Sequence, residues 1–125
     1  VNCVVDYYGR MDLTLEPLSE HHTDFRARFI GSEISDSEAA FKTFGEASPI
    51  MHIDKSTPPI LIVQGGVDEQ VEPVQSDQMF EALQAAKSPV YYLKLGQQGH
   101  GFSGEPGEFA WRSAKQFLEM QLQKK

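Results

Sequence analysis

The most informative part of the chain reads Ile60-Leu61-Ile62-Val63 and ends at Gly65-Gly66. A short, continuous apolar run that is closed by glycines is typical of a strand buried on both faces. Downstream, Pro73 begins a predicted helix, which ends before Pro89. The next predicted strand is Val90–Leu95, which is rich in aromatic and apolar residues and is followed by another glycine.

The last part of the chain adds a second helix, which is predicted to begin at Pro106. Four apolar residues share one face of this helix: Ala110, Ala114, Phe117 and Leu118. Trp111, on the same helix, is expected to pack against the sheet. The second half therefore alternates strand and helix, which favours parallel strands with helices on the faces of the sheet. The predicted fold class is α/β.

The first half of the chain is less regular. Residues Asn2–Tyr8 are predicted to form a strand. Polar residues then dominate from Arg10 to about Ser56, apart from a short predicted helix around Ala39–Phe44 that has a capping-type start and ends at Gly45. We interpret residues 1–125 as a single α/β domain in which residues 10–56 form a cap-like excursion.

Composition narrows the classes of partner. Forty per cent of the 125 residues are hydrophobic, 18 are acidic and 11 are basic, which gives a formal net charge of −7. An acidic surface repels phosphate backbones and anionic lipids, so neither nucleic acid nor a membrane surface is an expected partner. No apolar run approaches the ~20 residues that a spanning helix needs. The single cysteine, Cys3, excludes an internal disulfide.

An acid and an imidazole follow the two consecutive strands of the second half. Asp68 lies in the loop after the first of these strands, and His100 lies in the glycine-rich loop after the second. Ligands of open parallel sheets gather at the carboxyl ends of the strands, and adjacent strands are ~4.8 Å apart, so these side chains are expected to meet. Taken singly, Asp68 reads as a turn residue and His100 as a surface residue, but their joint placement favours function. Flanking glycines fit tight turns that bring both side chains to one cleft.

Four blocks carry a family resemblance, namely Val4–Leu13, Ala47–Ile50, Pro58–Val71 and Gly99–Phe102. Together they resemble the C-terminal half of the α/β-hydrolase fold, in the esterase/lipase branch that includes acetylxylan- and feruloyl-esterase-like enzymes. The resemblance implies a partial α/β-hydrolase fold with a three-stranded parallel sheet, equivalent to family strands six to eight, flanked by helices. Residues 10–56 then match the variable excursion that often shapes the acyl or alcohol pocket.

The resemblance also implies roles for individual residues. The triad of such families runs in the order Ser, Asp or Glu, His, with the serine on a G-x-S-x-G turn. Asp68 matches the family acid and His100 matches the family base. The implied substrate is a small-molecule or polysaccharide-linked ester, and we expect no cofactor and no metal.

Three positions depart from the family pattern. Gln64-Gly65-Gly66 stands where His-Gly-Asp is common, Arg10 stands where a proline is usual, and Glu72 displaces another proline to Pro73. These positions surround the acid or form turns. They therefore bear on the surroundings of the acid more than on the identification of Asp68 as that acid.

The 125 residues contain no G-x-S-x-G sequence. The nearest match, Gly101–Glu105, lacks the final glycine and follows the histidine. We interpret Ser103 as a residue at the entry to the last helix and Cys3 as a small strand residue rather than as nucleophiles. Without a nucleophile or an oxyanion hole the base has nothing to activate, so the chain is predicted to be an inactive fragment of a longer serine hydrolase.

Two other readings stay open. One is a fragment of a serine peptidase of the prolyl-oligopeptidase type, whose catalytic domain ends in similar acid and histidine loops. The other is a non-catalytic remnant that dimerises. If no strand pairs with its outer edge, the first strand exposes unpaired N–H and C=O groups along Cys3–Tyr8. Such an edge predicts a homodimer whose sheets join edge to edge.

Other histidines are read as structural. The segment Glu20-His21-His22-Thr23-Asp24 has metal-binding residue types, but adjacent histidines point in different directions and the segment is best interpreted as a solvated surface. His52 lies shortly before the second strand and is also interpreted as structural.

Overall fold

The computed structural model describes residues 1–15, 29 and 38–123. The regular elements, in chain order, are strand β1 (Val4–Tyr7), helix α1 (Glu38–Ala47), a 3-10 turn (Pro49–His52), strand β2 (Ile60–Gly65), helix α2 (Pro73–Ala85), strand β3 (Val90–Leu95) and helix α3 (Gly104–Leu122). Within the described ranges, no helix is long and apolar enough to cross a membrane.

The three strands form one parallel sheet in the order β1-β2-β3. Ile60, at the start of β2, lies opposite Val4 on one side and Val90 on the other. Every residue of β2 is buried, as expected for a central strand that is covered on both faces. The predicted three-stranded parallel α/β arrangement is confirmed, and all three strands end at the same edge of the sheet.

One face of the sheet is covered by α3. Leu61 and Val63 of β2 form a buried cluster with Ala110, Ala114 and Phe117 of the helix. Because the three helix residues recur every three or four positions, they form one stripe. Helix α2 contacts β2 and β3.

The chain divides into two compact units. The larger unit contains residues 1–9 and 53–125, which include the whole sheet, and the smaller unit contains residues 10–52. In the smaller unit Leu13 and Phe44 are buried, and the hydroxyl of Ser48 accepts from the Leu13 N–H at 2.8 Å and donates to the Phe44 carbonyl at 2.7 Å. The interpretation of residues 10–56 as an excursion within one domain stays a prediction.

The helices differ from the prediction in three details. Helix α1 continues past Gly45 to Ala47, since Gly45 has no left-handed φ angle, and its predicted cap falls outside the described residues. Helix α3 begins at Gly104, two residues before Pro106. The expectation that Trp111 packs against the sheet is wrong, because its side chain is 63% exposed. Trp111 is rotated by about 100° from the buried Ala110, so it points away from the stripe.

Candidate active site

The two candidate residues meet at the carboxyl ends of β2 and β3. The Nδ1 atom of His100 lies 2.9 Å from the Oδ2 atom of Asp68. The carboxylate is fully buried, whereas the imidazole is 31% exposed. The predicted approach of these side chains is therefore present, with the acid inside the protein and the histidine at its surface.

Backbone amides hold the carboxylate in place. Its Oδ1 atom accepts hydrogen bonds from the N–H groups of Gln70 and Val71, each at 2.9 Å. Burial acts to raise the pKa of Asp68, but these two bonds and the contact with His100 outweigh it and keep the pKa below its usual range. Asp68 is therefore ionised at neutral pH, and it is in place to stabilise a positive charge on the imidazole.

The loops that carry these residues pack backbone against backbone. The N–H of Gly66 donates to the Leu95 carbonyl at 2.8 Å, and the N–H of Val67 donates to the Gln98 carbonyl at 3.0 Å. A Cβ atom on Gly66 would lie 2.7 Å from both the Cα and the carbonyl oxygen of Gly96. Since Gly66 has no left-handed φ angle, close approach rather than a tight turn is what requires glycine at this position.

Two aromatic side chains lie close to the histidine. The ring of Tyr8, which follows β1, lies 4.7 Å from the imidazole ring centre to centre and 5.1 Å from the ring of Phe102. Tyr8 has a φ of 44°, an uncommon conformation for a tyrosine that costs about 1–3 kcal/mol. The sheet fixes this conformation through a 2.9 Å bond from the Tyr8 N–H to the Val63 carbonyl.

The geometry defines which imidazole nitrogen is available for chemistry. A carboxylate only accepts hydrogen bonds, so a neutral His100 carries its proton on Nδ1 and keeps a lone pair on Nε2. Nε2 has no hydrogen-bond partner among the residues that the structure describes. A partly exposed imidazole that is oriented by a buried carboxylate is suited to accept and return a proton.

Neither of the two other candidate nucleophiles is bonded to this histidine. Ser103 is the exposed N-cap residue of α3, with no side-chain capping bond. Cys3 is partly buried and packs against the cluster under α3. In the described part of the chain, the hydrogen bond of His100 goes to Asp68 alone.

Gln64 is the site residue that sequence reasoning missed. In the sequence it stands out only as a departure from a family pattern, yet its side chain is completely buried and its amide nitrogen lies 3.1 Å from Oδ2 of Asp68. The available signal was a polar residue in an otherwise apolar buried strand. Such a residue must find hydrogen-bond partners inside the protein.

No group of three His, Cys, Asp or Glu side chains is arranged to hold a metal ion within the described residues. The segment Glu20–Asp24 lies outside them. The Nε2 atom of His52 lies 2.7 Å from the Glu46 carbonyl, a local contact in the smaller unit.

Comparison with curated proteins finds esterases and peptidases. The chain is 34% identical over 104 residues to dipeptidyl peptidase family member 6 of Caenorhabditis elegans, covering 79% of this chain and 14% of that protein. It is 34% identical over 106 residues to dipeptidyl aminopeptidase BIII of Pseudoxanthomonas mexicana, covering 81% and 15%. It is 33% identical over 105 residues to esterase LipC of Mycobacterium tuberculosis, covering 82% and 26%. The chain thus spans about a quarter or less of the length of these relatives.

Comparison with solved structures gives the same picture. A truncated form of a carbohydrate esterase from gut microbiota matches 97% of this chain with a TM-score of 0.80 and 26% identity, and 42% of that chain is covered. A puromycin hydrolase matches 98% of this chain with a TM-score of 0.70 and 25% identity, and 18% of that chain is covered. The match to the esterase Est2 of Thermogutta terrifontis covers 94% of this chain and 41% of that chain, with a TM-score of 0.68 and 20% identity. This match supports the fold alone.

The family profile described as BD-FAE matches residues 1–83. This range contains β1, β2 and Asp68, whereas β3 and His100 lie beyond it. The parallel sheet, the curated relatives and the structural neighbours agree with one another, and the relatives are hydrolases of the α/β-hydrolase fold. The chain belongs to the BD-FAE family of α/β-hydrolase fold proteins.

Proposed function

We propose that this chain supplies the acid and the histidine of a Ser-Asp-His triad in a carboxylesterase-type serine hydrolase. The observation that carries the proposal is the 2.9 Å contact between His100 Nδ1 and the buried carboxylate of Asp68. The similarity to esterase LipC and to a carbohydrate esterase supports an ester substrate, either a small molecule or one linked to a polysaccharide.

In the proposed reaction, Nε2 of His100 takes the proton from a serine hydroxyl as the serine oxygen attacks the ester carbonyl. The imidazolium that forms is stabilised by Asp68, and it then gives the proton to the leaving alcohol. The carbon–oxygen bond to the alcohol breaks and the acyl group stays on the serine. In the second half of the cycle Nε2 takes a proton from water as the water attacks the acyl-serine, and it returns that proton to the serine oxygen as the carboxylic acid leaves. The serine would come from residues outside these 125, since they contain no G-x-S-x-G sequence.

The isolated 125-residue chain is accordingly proposed to be inactive. Incubation with a fluorophosphonate, followed by mass spectrometry of the intact protein, should show no covalent adduct. A stoichiometric adduct on Ser103 would contradict this proposal, because it would show a reactive serine within the 125 residues.

A peptidase is the second candidate, and two dipeptidyl-peptidase relatives at 34% identity favour it. The same acid and histidine would serve an amide substrate, in which the imidazolium protonates a leaving amine. The two candidates are separated by the rates at which a longer protein that contains this chain hydrolyses an acetyl ester and a dipeptidyl anilide. Faster hydrolysis of the ester favours the esterase, and faster hydrolysis of the anilide favours the peptidase.

The coding sequence in frame upstream of Val1 gives a direct test of the triad. A G-x-S-x-G sequence encoded there supports the proposal for either substrate class. A start codon immediately before Val1 would oppose it and favour a non-catalytic remnant.

A further inference from the structure

A chain of buried hydrogen bonds runs from α2 to the candidate histidine. The hydroxyl of Ser76 donates to Oε1 of Gln64 at 2.8 Å, and Nε2 of Gln64 lies 3.1 Å from Oδ2 of Asp68. The same Oδ2 atom contacts His100. Ser76 and Gln64 are both fully buried, so leaving their polar groups without hydrogen bonds would be costly.

The surroundings fix which way the Gln64 amide points. Its nitrogen faces three acceptors, namely Oδ2 of Asp68, the Val71 carbonyl at 3.1 Å and the Gly65 carbonyl at 3.2 Å. A flipped amide would place its own oxygen against these acceptors and leave several buried groups unsatisfied. Gln64 is therefore a hydrogen-bond donor to the carboxylate.

The two oxygens of Asp68 are held differently. Oδ1 is fixed by the backbone of its own loop, through Gln70 and Val71. Oδ2, which contacts His100, has Gln64 as its second donor. Because a carboxylate is planar, two fixed oxygens define its rotation. Among the described residues, the Gln64 amide is the group that ties the histidine-facing oxygen to the central strand β2.

We propose that Gln64 is a positioning residue, which holds the Asp68 carboxylate at the angle that orients His100. This inference rests on the proposed function and adds a residue to its machinery. An amide is suited to this task because it donates a hydrogen bond without titrating. The contact between Gln64 and Asp68 therefore stays the same on either side of neutral pH.

The test uses ¹⁵N NMR of His100 in the 125-residue chain, because nitrogen shifts report which ring nitrogen carries the proton. The wild type is expected to show mainly the Nδ1–H form at a pH where the ring is neutral. Gln64→Met keeps the side-chain length but removes the donor, and it should change the ratio of the two forms by about tenfold towards Nε2–H. Ser88→Ala is the control, since it removes a hydroxyl bond to the Asp54 carbonyl without touching the site.

A second variant separates positioning from packing. Gln64→Glu places a carboxyl against Asp68, and two buried carboxyls at this distance share one proton. Its stability should fall as pH rises through the raised pKa of the new pair. Gln64→Met should instead be destabilised equally across the pH range in which Asp68 is ionised. The pH-dependent loss shows that the position faces the carboxylate directly.

Wild-type nitrogen shifts in a folded Gln64→Met would overturn the inference, because the histidine would then be oriented without the amide. If that variant does not fold, Gln64→Leu, whose apolar side chain also lacks the donor, takes its place, and unchanged shifts in it have the same meaning. A wild-type chain that lacks the Nδ1–H form would instead contradict the acid–histidine pair itself. The failure of the proposed function is thus distinguishable from the failure of the role of Gln64.

Discussion

Replacing Gly66 by alanine tests how the two site loops are held together. The new Cβ would lie 2.7 Å from the Cα and the carbonyl oxygen of Gly96, and ordinary contact begins at 3.4 Å. The loops must therefore separate by about 0.7 Å, the difference between these two distances. Overpacking of this kind costs about 1–3 kcal/mol.

The same displacement reaches the candidate pair. If the 0.7 Å separation is carried in full to the side chains, the 2.9 Å contact between His100 and Asp68 lengthens to about 3.6 Å. A separation of about 3.6 Å no longer counts as a hydrogen bond. Gly66→Ala should therefore both destabilise the fold and release the imidazole.

Gly96→Ala provides the matched control. It makes the same chemical change on the facing loop, but no atom of the described residues lies within 4 Å of its Cβ position. Stability is read from urea denaturation, and the state of the imidazole from ¹⁵N NMR of His100. Equal stability and equal nitrogen shifts in the two variants would refute the reasoning that backbone contact holds the pair.

Three further outcomes are expected. The folded-state pKa of Asp68 is lowered below its ordinary 3.8, so the stability that the ionised carboxylate confers is present above pH 3.8 and is lost as the pH falls further. Acid denaturation of Asp68→Asn should lack this component. The hydroxyl of Tyr92 donates to Asp77 at 2.7 Å, so Tyr92→Phe should cost about 1 kcal/mol in urea unfolding, and an unchanged midpoint would count against it. Finally, β1 pairs only with β2 among the described residues, so we propose that the chain self-associates through the other edge of β1. Light scattering at micromolar concentration should then give a mass of about twice 14.0 kDa, and a clean monomer would oppose this proposal.

The sheet was predictable because its signals are local. An uninterrupted apolar run at Ile60–Val63 and the alternation with helices specify a parallel central strand without knowledge of distant contacts. The predicted strand Val90–Leu95 agrees with β3 residue for residue. Helix ends were less predictable, because a glycine often ends a helix by adopting a left-handed φ angle, and Gly45 does not adopt one.

The candidate pair was predictable in part. Parallel topology brings Asp68 and His100 to one edge of the sheet, so their approach followed from chain order alone. The role of Gln64 was not predictable, because its hydrogen bonds depend on the rotamers of Ser76 on α2 and of Asp68. Similarly, the exposure of Trp111 depends on its angle from Ala110, which general apolarity does not indicate.

The most direct test of the proposed triad is the rate of ester hydrolysis by the product of the whole open reading frame that contains this chain. We expect hydrolysis of an acetyl ester, with a loss of about 10⁴-fold in Asp68→Asn, while Asp77→Asn, which alters an exposed contact with Lys94, keeps the wild-type rate. Full activity in Asp68→Asn or in His100→Ala would contradict the proposed roles of these two residues. If the open reading frame encodes no nucleophilic serine, and its product hydrolyses neither esters nor peptides, the proposed triad as a whole is contradicted.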